Sequence, residues 1–550
     1  MDQTLAASSS STMEQNDIPP GTFLLVRDDE IDTTGQHIVM LDPIPTSDPN
    51  EPLNWSTARK TINFTIVLGM TGVIFTALSS QTIFWQQMVI DLNATYTQLN
   101  NAMSVNFVGL ATGCILFIPL AKKYGRRPVY IASTILMLVT SLCTAKLTSL
   151  SGLYVCNLLQ GLAGATNEAI VEITIADLFF VHHRGRMNGL YMTMVMVGSF
   201  LGPIAAGVQA TNQGWRWSYR TQGIFNAIFL VLFVFLYEET KYVPVITGQS
   251  EVEPNPTEYI PRSDSKDQKQ ACQSEANSTH VITEPSNLHH EINHDIAMNS
   301  WRKRLALSTA TPETIWPYYY RPFQILCAFP AVAYTALQYA SGVAFLTIMS
   351  SVISLTFPLP PYSFNPEQIG FMSVGPFIGN LIGAVYGGLL GDWSIIYFSR
   401  KNKGYFEPEM RLYILPIPAI FMSGGLIMFG ATVSRGMHWI YPSIAGVFFG
   451  FGLGSISDAA LTLVIDSYRE LTGDAFTGIA FMRNAVSIGI PFAITPWINQ
   501  NGIQNMFIIA GFISLGITGL MVPVMIWGKR ARRALAPHYR EMVRKQGHMH

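Results

Sequence analysis

The sequence predicts an all-α integral membrane protein with twelve transmembrane helices in two six-helix halves. Twelve apolar stretches of about twenty residues follow one another, and each is long enough to cross a hydrocarbon core about 30 Å thick. Hydrophobic residues make up 49% of the 550 residues and charged residues only 13%, whereas a soluble protein of this size needs more charge on its surface. A polar insert separates the first six stretches from the last six, which predicts the two halves.

The predicted spans divide the chain into five regions. The spans comprise residues 61–82, 99–121, 129–147, 152–176, 187–209, 221–237, 323–349, 367–391, 412–433, 439–463, 475–497 and 505–527. The regions are a disordered cytoplasmic tail, the first six-helix half, a mostly disordered cytoplasmic central loop, the second six-helix half and a basic cytoplasmic tail, at residues 1–58, 59–240, 241–320, 321–528 and 529–550. The central insert is polar without periodic order, which is typical of disorder.

The positions of Lys and Arg predict the orientation in the membrane. Most of them fall on alternate connections, such as residues 122–127 and 400–411. Because basic loops stay on the cytoplasmic side, both termini and the central loop are predicted to be cytoplasmic. The sequon Asn93-Ala-Thr95 then lies in an outside loop, and Asn93 is a candidate for glycosylation. The sequon at Asn277 is predicted to be inside and unmodified.

The composition argues against several classes of function. The formal net charge is −1, and the sequence contains no basic domain. No nucleic-acid partner is therefore predicted. The five cysteines lack the spacing of a disulfide framework or zinc site, and the histidines of the insert lack an organised set of partner ligands. We therefore expect no metal and no other cofactor. The chain has no phosphate-binding G-x-x-x-x-G-K-[ST] loop and no nucleophile–base set, so it is predicted not to be an enzyme.

Glycines in the eighth span predict a close helix contact. Five of them recur every fourth residue, at Gly375, Gly379, Gly383, Gly387 and Gly391. One face of that helix is therefore bare backbone, which another helix can approach closely. Two interpretations are open: simple packing, or a smooth contact between the halves that lets one rock against the other.

The fifth span carries a pattern of glycine and proline. Gly198, Gly202, Pro203 and Gly207 form the arrangement G-x-x-x-G-P-x-x-x-G. Proline removes a backbone donor within the span, and the small residues expose the backbone to a neighbour. The pattern predicts a kinked, tightly packed helix.

Several short segments carry a resemblance to a known family. They include Tyr124-Gly-Arg-Arg-Pro128, Val181-His-His-Arg-Gly185, Glu407-Pro-Glu-Met-Arg-Leu412 and the glycine–proline pattern of the fifth span. With them, the chain from about Asp48 onward resembles fungal transporters of the major facilitator superfamily, of the twelve-span drug:proton antiporter type. The resemblance implies the major facilitator fold with cytoplasmic termini, and it links the glycine–proline pattern with antiporters.

Two places depart from the family's pattern. Lys122 and Lys123 stand where the loop after the second span commonly has an acidic and a basic residue. Asn157 stands where many antiporters have an arginine, three residues before the Gln160-Gly161 pair. Coupling of protons through that arginine therefore does not carry over to this chain.

Charged side chains within the spans point to a site, because an ionised group at the membrane centre costs at least about 2.5–3.5 kcal/mol. Glu168 and Glu172 lie one turn apart in the fourth span. Two neighbouring carboxylates do not both ionise easily, so they predict a site that holds a proton near neutral pH and attracts cations. The alternative is that one or both only bond to neighbouring helices and fix the packing.

Further candidates for a substrate or proton cavity come from both halves. Asp458 in the tenth span and Arg483 in the eleventh form a second polar element, and the hypothesis is that they pair, for function or for structure. The uncharged candidates are Gln81, Asn106, Tyr334, Gln338 and Tyr339. The tyrosines suit stacking on a flat or cationic substrate, with core packing as the commoner alternative.

A cytoplasmic gate is predicted from basic and acidic residues near the span ends. Its arginines are expected to contact helix C-terminal carbonyls or acids of facing loops, with anionic lipid as the alternative partner. Asp474 is expected to be a gate or helix-end group. The predicted gate residues are Gly125, Arg126, Arg127, Arg184, Asp392 and Arg400.

Together these features predict a proton-coupled secondary active transporter. It is expected to export a small amphipathic or cationic organic compound, such as a drug, toxin or secondary metabolite, by alternating access. The alternative is uptake of a polyamine or amino-acid-like cation by proton symport, and a remote alternative is a transport-dead membrane sensor. The expected partners are the lipid bilayer, protons and the small-molecule substrate. We expect a monomer in the plasma membrane, with the vacuolar membrane as the alternative.

Overall fold

The computed structural model describes residues 19–24, 48–242, 298–309, 314–402 and 404–547. This part of the chain is helical apart from turns and one pair of two-residue strands, so the all-α prediction is confirmed. The helices before the central loop are α1 Thr57–Ser80, α2 Trp85–Asp91, α3 Tyr96–Tyr124, α4 Arg126–Thr144, α5 Leu150–Leu178, α6 Val181–Met196, α7 Gly202–Gln213 and α8 Trp215–Phe235.

The helices that follow belong to the central loop and the second half. They are α9 Trp301–Arg304, α10 Trp316–Ala328, α11 Pro330–Thr356, α12 Pro366–Phe371, α13 Val374–Lys401, α14 Pro416–Ser434, α15 Ile440–Ser467, α16 Thr472–Gly519 and α17 Met521–Gly547. The strands are β1 Phe23–Leu24 and β2 Tyr405–Phe406, and they pair antiparallel.

Ten helical stretches of the described chain are long and apolar enough to cross a membrane. The fourth predicted span is helix α5, which is not among the ten because its many polar side chains lower its hydropathy. The eleventh and twelfth predicted spans fall in one helical stretch, Arg469–Lys545. Gly502 breaks that stretch with a backbone φ of 71°. The count of twelve spans and their orientation stay predictions.

Two of the helices of the first half touch backbone to backbone. A methyl group at Gly161 of α5 would overlap the carbonyl oxygen of Asn106 on α3, and one at Gly109 would overlap that of Leu158. This contact is possible only because glycine has no Cβ. It brings the polar side chains of α3 and α5 within hydrogen-bonding distance of each other.

The glycine stripe of the eighth span makes the same kind of contact in the second half. A methyl group at Gly379 of α13 would overlap the carbonyl oxygen of Val447 on α15, and Gly450 of α15 meets Pro376 of α13 in the same way. The predicted close approach is confirmed. Because α13 and α15 both belong to the second half, the interpretation that this stripe forms a contact between the halves is wrong.

The glycine–proline pattern of the fifth span packs against both halves. A π-helical turn, Val197–Leu201, links α6 to α7 and places Pro203 in the first turn of α7, where its missing N–H is tolerated. A π-helical turn is one of the usual causes of a kink, and the predicted kink itself stays a prediction. On the first half, a methyl group at Gly198 would lie 2.7 Å from the carbonyl oxygen of Gly72, and one at Gly202 would overlap Thr76.

The last glycine of the pattern reaches the second half. A methyl group at Gly207 would lie 2.5 Å from the carbonyl oxygen of Pro366, and one at Gly370 would lie 2.8 Å from that of Pro203. Helices α7 and α12 therefore touch backbone to backbone at the end that is predicted to face outside. The backbone N–H of Glu367 also donates to the hydroxyl of Thr211 at 3.1 Å.

Most of the segments that are predicted to be disordered lie outside the described residues. These include residues 1–18, 25–47 and 243–297. Two pieces of the N-terminal tail are described: Pro19–Leu24 contacts the second half, and residues 48–56 lead into α1. The boundaries of the five regions stay predictions.

We expect the substitution Gly379→Ala to destabilise the protein, because the added methyl group has no room against α15. Overpacking of this kind costs about 1–3 kcal/mol. Gly388→Ala is the matched control, since nothing lies within 4 Å of a methyl group at that position. Thermal denaturation of both variants in detergent checks the prediction, and equal midpoints would contradict it.

Candidate functional site

A buried ion pair joins the two halves. Glu168 of α5 pairs with Arg483 of α16, and their side chains are only 4% and 8% exposed. Asn484 donates from Nδ2 to Oε2 of Glu168 at 2.9 Å, and its Oδ1 accepts from Nε and Nη2 of Arg483 at 3.2 and 3.1 Å. The predicted partner of Arg483 was Asp458, and that hypothesis is wrong.

Two more helices supply side chains to this ion pair. The ring of Tyr339 on α11 lies 5.2 Å from the guanidinium carbon of Arg483. The thiol of Cys114 on α3 accepts from Nδ2 of Asn484 at 3.7 Å. Two helices from each half, α3 and α5 with α11 and α16, therefore meet around one pair of opposite charges.

Glu172 lies one helical turn after Glu168 and is half-buried. It forms no hydrogen bond or ion pair with any residue that the structure describes. The predicted carboxylate pair is therefore divided into an acid that is held by an arginine and an acid that is free to bind a proton or a cation.

A cluster of amides lies within the first half, on α3, on α5 and on the 3₁₀ turn Gln81–Phe84 that follows α1. Asn157 donates from Nδ2 to Oε1 of Gln81 at 3.0 Å and to the carbonyl oxygen of Ala102 at 2.9 Å. Nδ2 of Asn106 donates to the carbonyl oxygen of Asn157 at 3.1 Å. All three amide side chains are buried. Asn157 is therefore the centre of a neutral hydrogen-bonded cluster. It stands at the position where many antiporters have an arginine.

Two amide atoms of this cluster have no partner among the described residues. They are Nε2 of Gln81 and Oδ1 of Asn157, and Nε2 of Gln160, about one turn further along α5, also has none there. Buried polar groups in proteins are usually hydrogen-bonded, and those without a protein partner usually bind water or a ligand. The cluster can therefore present both donors and acceptors to a polar molecule between α1, α3 and α5.

The other cavity candidates of the second half do not gather around the ion pair. Gln338 donates from Nε2 to the carbonyl oxygen of Ile517 at 2.6 Å. The hydroxyl of Tyr334 is buried without a partner in the described chain. Asp458 lies against α13, where a methyl group at Gly387 would be 2.8 Å from its Oδ2. Asp458 and Arg483 therefore lie in different parts of the second half.

A second ion pair between the halves lies at the predicted cytoplasmic face. Lys122 of α3 pairs with Asp474 of α16, and their side chains are 17% and 4% exposed. The ammonium of Lys122 also lies 5.4 Å from the ring centre of Tyr318. Sequence reasoning missed this contact because the lysine replaces the family's acidic residue. We call the Lys122–Asp474 pair the latch.

The predicted gate residues of the first half contact carbonyls and acids. Nε of Arg126 lies 2.9 Å from Oδ2 of Asp177, and Nη2 of Arg127 donates to the carbonyl oxygen of Val234 at 2.7 Å. Nε and Nη2 of Arg184 donate to the carbonyl oxygens of Phe179 and Ala176, both at 2.9 Å. These contacts tie the ends of helices within the first half. Their role as a gate stays a prediction.

The turn between α3 and α4 closes on a buried carboxylate. The backbone N–H groups of Arg126 and Arg127 donate to Glu239 at 2.9 and 3.1 Å. Gly125, with a φ of 112°, leaves room for this carboxylate, which a methyl group there would overlap. Burial raises the pKa of the Glu239 carboxyl and outweighs the opposite effect of the hydrogen bonds from Lys241, Arg126 and Arg127.

The remaining gate candidates lie on the second half. Asp392 is 73% exposed and accepts from Arg411 at 3.4 Å, whereas the stronger partner of Arg411 is Asp466, at 2.7 Å. Arg400 is exposed. Within the described chain, neither Asp392 nor Arg400 forms an ion pair or side-chain hydrogen bond with the first half.

Two further predictions concern modification and metals. Asn93 follows α2, is exposed and has a φ of 48°, a conformation that asparagine tolerates. Its glycosylation stays a prediction. No group of three or more His, Cys, Asp or Glu that is arranged to bind a metal occurs in the described ranges, and the histidines of the insert lie outside them.

Comparisons with known proteins identify the relatives of this chain. The family model described as Major Facilitator Superfamily matches residues 66–492. An uncharacterized MFS-type transporter of Schizosaccharomyces pombe is 29% identical, over 94% of each chain. Protein HOL1 of Saccharomyces cerevisiae is 26% identical, over 94% of this chain and 95% of HOL1. The Multidrug transporter TPO1_2 of Candida glabrata is 24% identical, over 87% of this chain and 75% of its own.

Solved structures show the same fold. The crystal structure of a peptide transporter, POT, in complex with sulfate superposes with a TM-score of 0.57 and covers 86% of this chain and 95% of that chain. The sequence identity is 12%. At this identity the likeness concerns the arrangement of helices and not the substrate.

We expect Glu168→Gln to destabilise the protein strongly, because it leaves Arg483 buried without a counter-charge. Removing one partner of a buried ion pair costs about 3–5 kcal/mol. Glu172→Gln is the matched control: it makes the same change one turn away, where no ion pair is lost. Thermal denaturation of the purified variants measures the difference, and a Glu168→Gln midpoint no lower than that of Glu172→Gln would refute the structural role of the pair.

Proposed function

The chain belongs to the major facilitator superfamily, and we propose that it is a proton-coupled transporter that exports a small amphipathic or cationic organic compound by alternating access. Its relatives are membrane transporters and not enzymes. The observation that carries the proposal is the Glu168–Arg483 pair, which joins the halves beside Glu172, an acid with no ion-pair partner in the described chain.

The ion pair provides a physical basis for proton coupling. Its attraction depends on a charged Glu168, and a buried pair is stable only while both charges and their hydrogen bonds are present. Protonation of Glu168 removes the attraction and leaves Arg483 to Asn484 and to the ring of Tyr339. The energy that holds the halves together at this level therefore changes with proton binding, as alternating access driven by a proton gradient requires.

Glu172 provides a physical basis for the exchange of a proton for a substrate cation. A half-buried carboxylate without a cationic partner binds either a proton or a cation, and the two compete for the same oxygens. Competition of this kind makes the release of one depend on the arrival of the other. We therefore assign Glu172 as the group that a cationic substrate and a proton occupy in turn.

The surroundings favour an amphipathic substrate. Tyr339 offers a ring face to a cation or flat molecule, and the amide cluster around Asn157 offers hydrogen bonds. The name of the multidrug transporter of Candida glabrata supports a drug-like substrate. We place the protein in the plasma membrane as a monomer, with the vacuolar membrane as the alternative.

Uptake of a polyamine or amino-acid-like cation by proton symport is the second candidate. The observation that favours it is the same free carboxylate, since a cation site on α5 serves transport in either direction. Flux in cells separates the two: loss of an exporter raises the cellular content of the compound, and loss of an importer lowers it.

We expect Glu172→Gln to lower gradient-driven transport strongly while the protein stays folded. In proteoliposomes with an imposed proton gradient, flux of a fluorescent lipophilic cation and of radiolabelled spermidine is measured for the wild type and the variant. The driven flux of the transported compound should fall about a hundredfold or more, as expected when an essential proton-transfer group is lost.

Counterflow without a gradient is the control for this experiment. It should persist in Glu172→Gln if the variant still binds substrate and changes conformation. Gradient-driven flux at the wild-type rate would remove Glu172 from the coupling mechanism. Absence of gradient-driven flux of either compound in the wild type would refute proton-driven transport of this cation class.

A further inference from the structure

A segment of the N-terminal tail is attached to the second half. Strand β1 pairs antiparallel with β2, so that Phe23 lies opposite Phe406 and Leu24 opposite Tyr405. Addition of a strand to an exposed edge is a common way for an extended peptide to bind, because the backbone supplies the hydrogen bonds. We call residues Pro19–Leu24 the strap.

The second half contains a buried arginine, and the strap accepts some of its hydrogen bonds. Arg532 of α17 is 2% exposed and pairs with Glu409 through Nε and Nη2, at 2.9 and 2.6 Å. Its remaining terminal nitrogen, Nη1, donates to the carbonyl oxygen of Pro20 and to the hydroxyl of Thr22, the latter at 3.1 Å. Buried guanidinium groups need acceptors for their N–H groups, and the strap supplies two of them.

The strap also lies directly on the corner between α15 and α16. Gly21 has a φ of 77°, and a methyl group there would overlap the carbonyl oxygen of Asp466 and lie 2.9 Å from Cα of Ser467. Only glycine combines this backbone conformation with such a close approach. The fit between strap and corner is therefore specific to glycine at this position.

The corner under the strap carries one side of the latch. From Asp466 the chain continues through the buried Tyr468 to Asp474 in the first turn of α16. The ring of Tyr468 packs 4.5 Å from that of Phe329, centre to centre, which fixes the corner from the other side. A change in the position of the corner therefore changes the distance between Asp474 and Lys122.

We propose that the predicted cytoplasmic face of the second half is a docking surface for this chain's own strap, and that docking keeps the latch closed. The docked strap holds the corner where Asp474 reaches Lys122, so it favours the state in which this face is shut. Release of the strap loosens the corner and shifts the population towards the open state. The effect of docking on the latch rests on the alternating access of the proposed function, whereas the docking itself does not.

Docking is tested by a cross-strand disulfide. Phe23→Cys and Phe406→Cys are introduced into full-length protein in which Cys143, Cys156, Cys272 and Cys327 are serine. Directly opposed residues of an antiparallel pair are close enough to form a disulfide. Leu24→Cys with Phe406→Cys is the matched control, since successive strand side chains point to opposite faces. A disulfide in the first pair but not in the control is expected, and its absence from the first pair overturns the docking.

Coupling to the latch is tested with Cys114 as a reporter. This thiol is 1% exposed and lies two turns before Lys122 on α3, in a small cavity that it shares with Tyr318 and Phe481. Alkylation by a water-soluble maleimide therefore reports opening between the halves. Gly21→Val should undock the strap and raise the alkylation rate about tenfold, the change that corresponds to a shift of 1.4 kcal/mol in the opening equilibrium.

The disulfide and a second glycine supply the controls for this test. Oxidation of the Phe23→Cys and Phe406→Cys pair should lower the alkylation rate of Cys114 below that of the reduced protein. Gly35→Val makes the same exchange elsewhere in the tail and should leave the rate unchanged. An alkylation rate that responds to neither Gly21→Val nor the disulfide overturns the coupling. Neither readout uses a substrate or a proton gradient, so these results are independent of the transport assignment.

Discussion

The architecture depends on one electrostatic constraint, which is that a charge buried between the two halves must be paired. Glu168 comes from the first half and Arg483 from the second, and both are almost fully buried. In a low-dielectric interior, each charge alone is far more costly than the two together. The pair therefore favours the observed arrangement of the halves, and it makes that arrangement sensitive to anything that neutralises Glu168.

Backbone-to-backbone contacts occur within each half and, at α7 and α12, between the halves, and buried ion pairs add a second kind of contact between the halves. Helices of the same half meet backbone to backbone, as at Gly161 on α5 or Gly379 on α13, where no added methyl group fits. Such contacts are rigid, because close-packed backbone does not deform. Between the halves, the Glu168 and Lys122 pairs contribute charged contacts. Under the proposed function, these ion pairs break and re-form as protons or cations arrive, while the backbone contacts within each half stay in place.

Much of the fold could be predicted from the sequence because helices in a membrane are encoded locally. About twenty apolar residues identify a span, and the regular glycines of α13 correctly predicted a close contact. Glu168 and Glu172 could be identified as candidates since a charge within a span is rarely kept without a use. The partner of Arg483 could not be predicted in this way. Asp458 lies in the same half as Arg483 and is therefore the acid that the sequence suggests, whereas Glu168 lies in the other half, far away in the sequence.

The sequence by itself determined that the protein is helical, which stretches are apolar enough for a membrane, and which few charges lie inside them. Tertiary structure alone decided which charges meet: Glu168 with Arg483, and Lys122 with Asp474 at the ends of the spans, while Glu172 has no ion-pair partner in the described chain. It also decided that Gly21 of the tail rests on the corner before α16. The physical reason is the distance along the sequence over which each interaction acts. Hydropathy and helix formation act over neighbouring residues, whereas ion pairs and strand pairing act between segments that only the packing of the helices brings together.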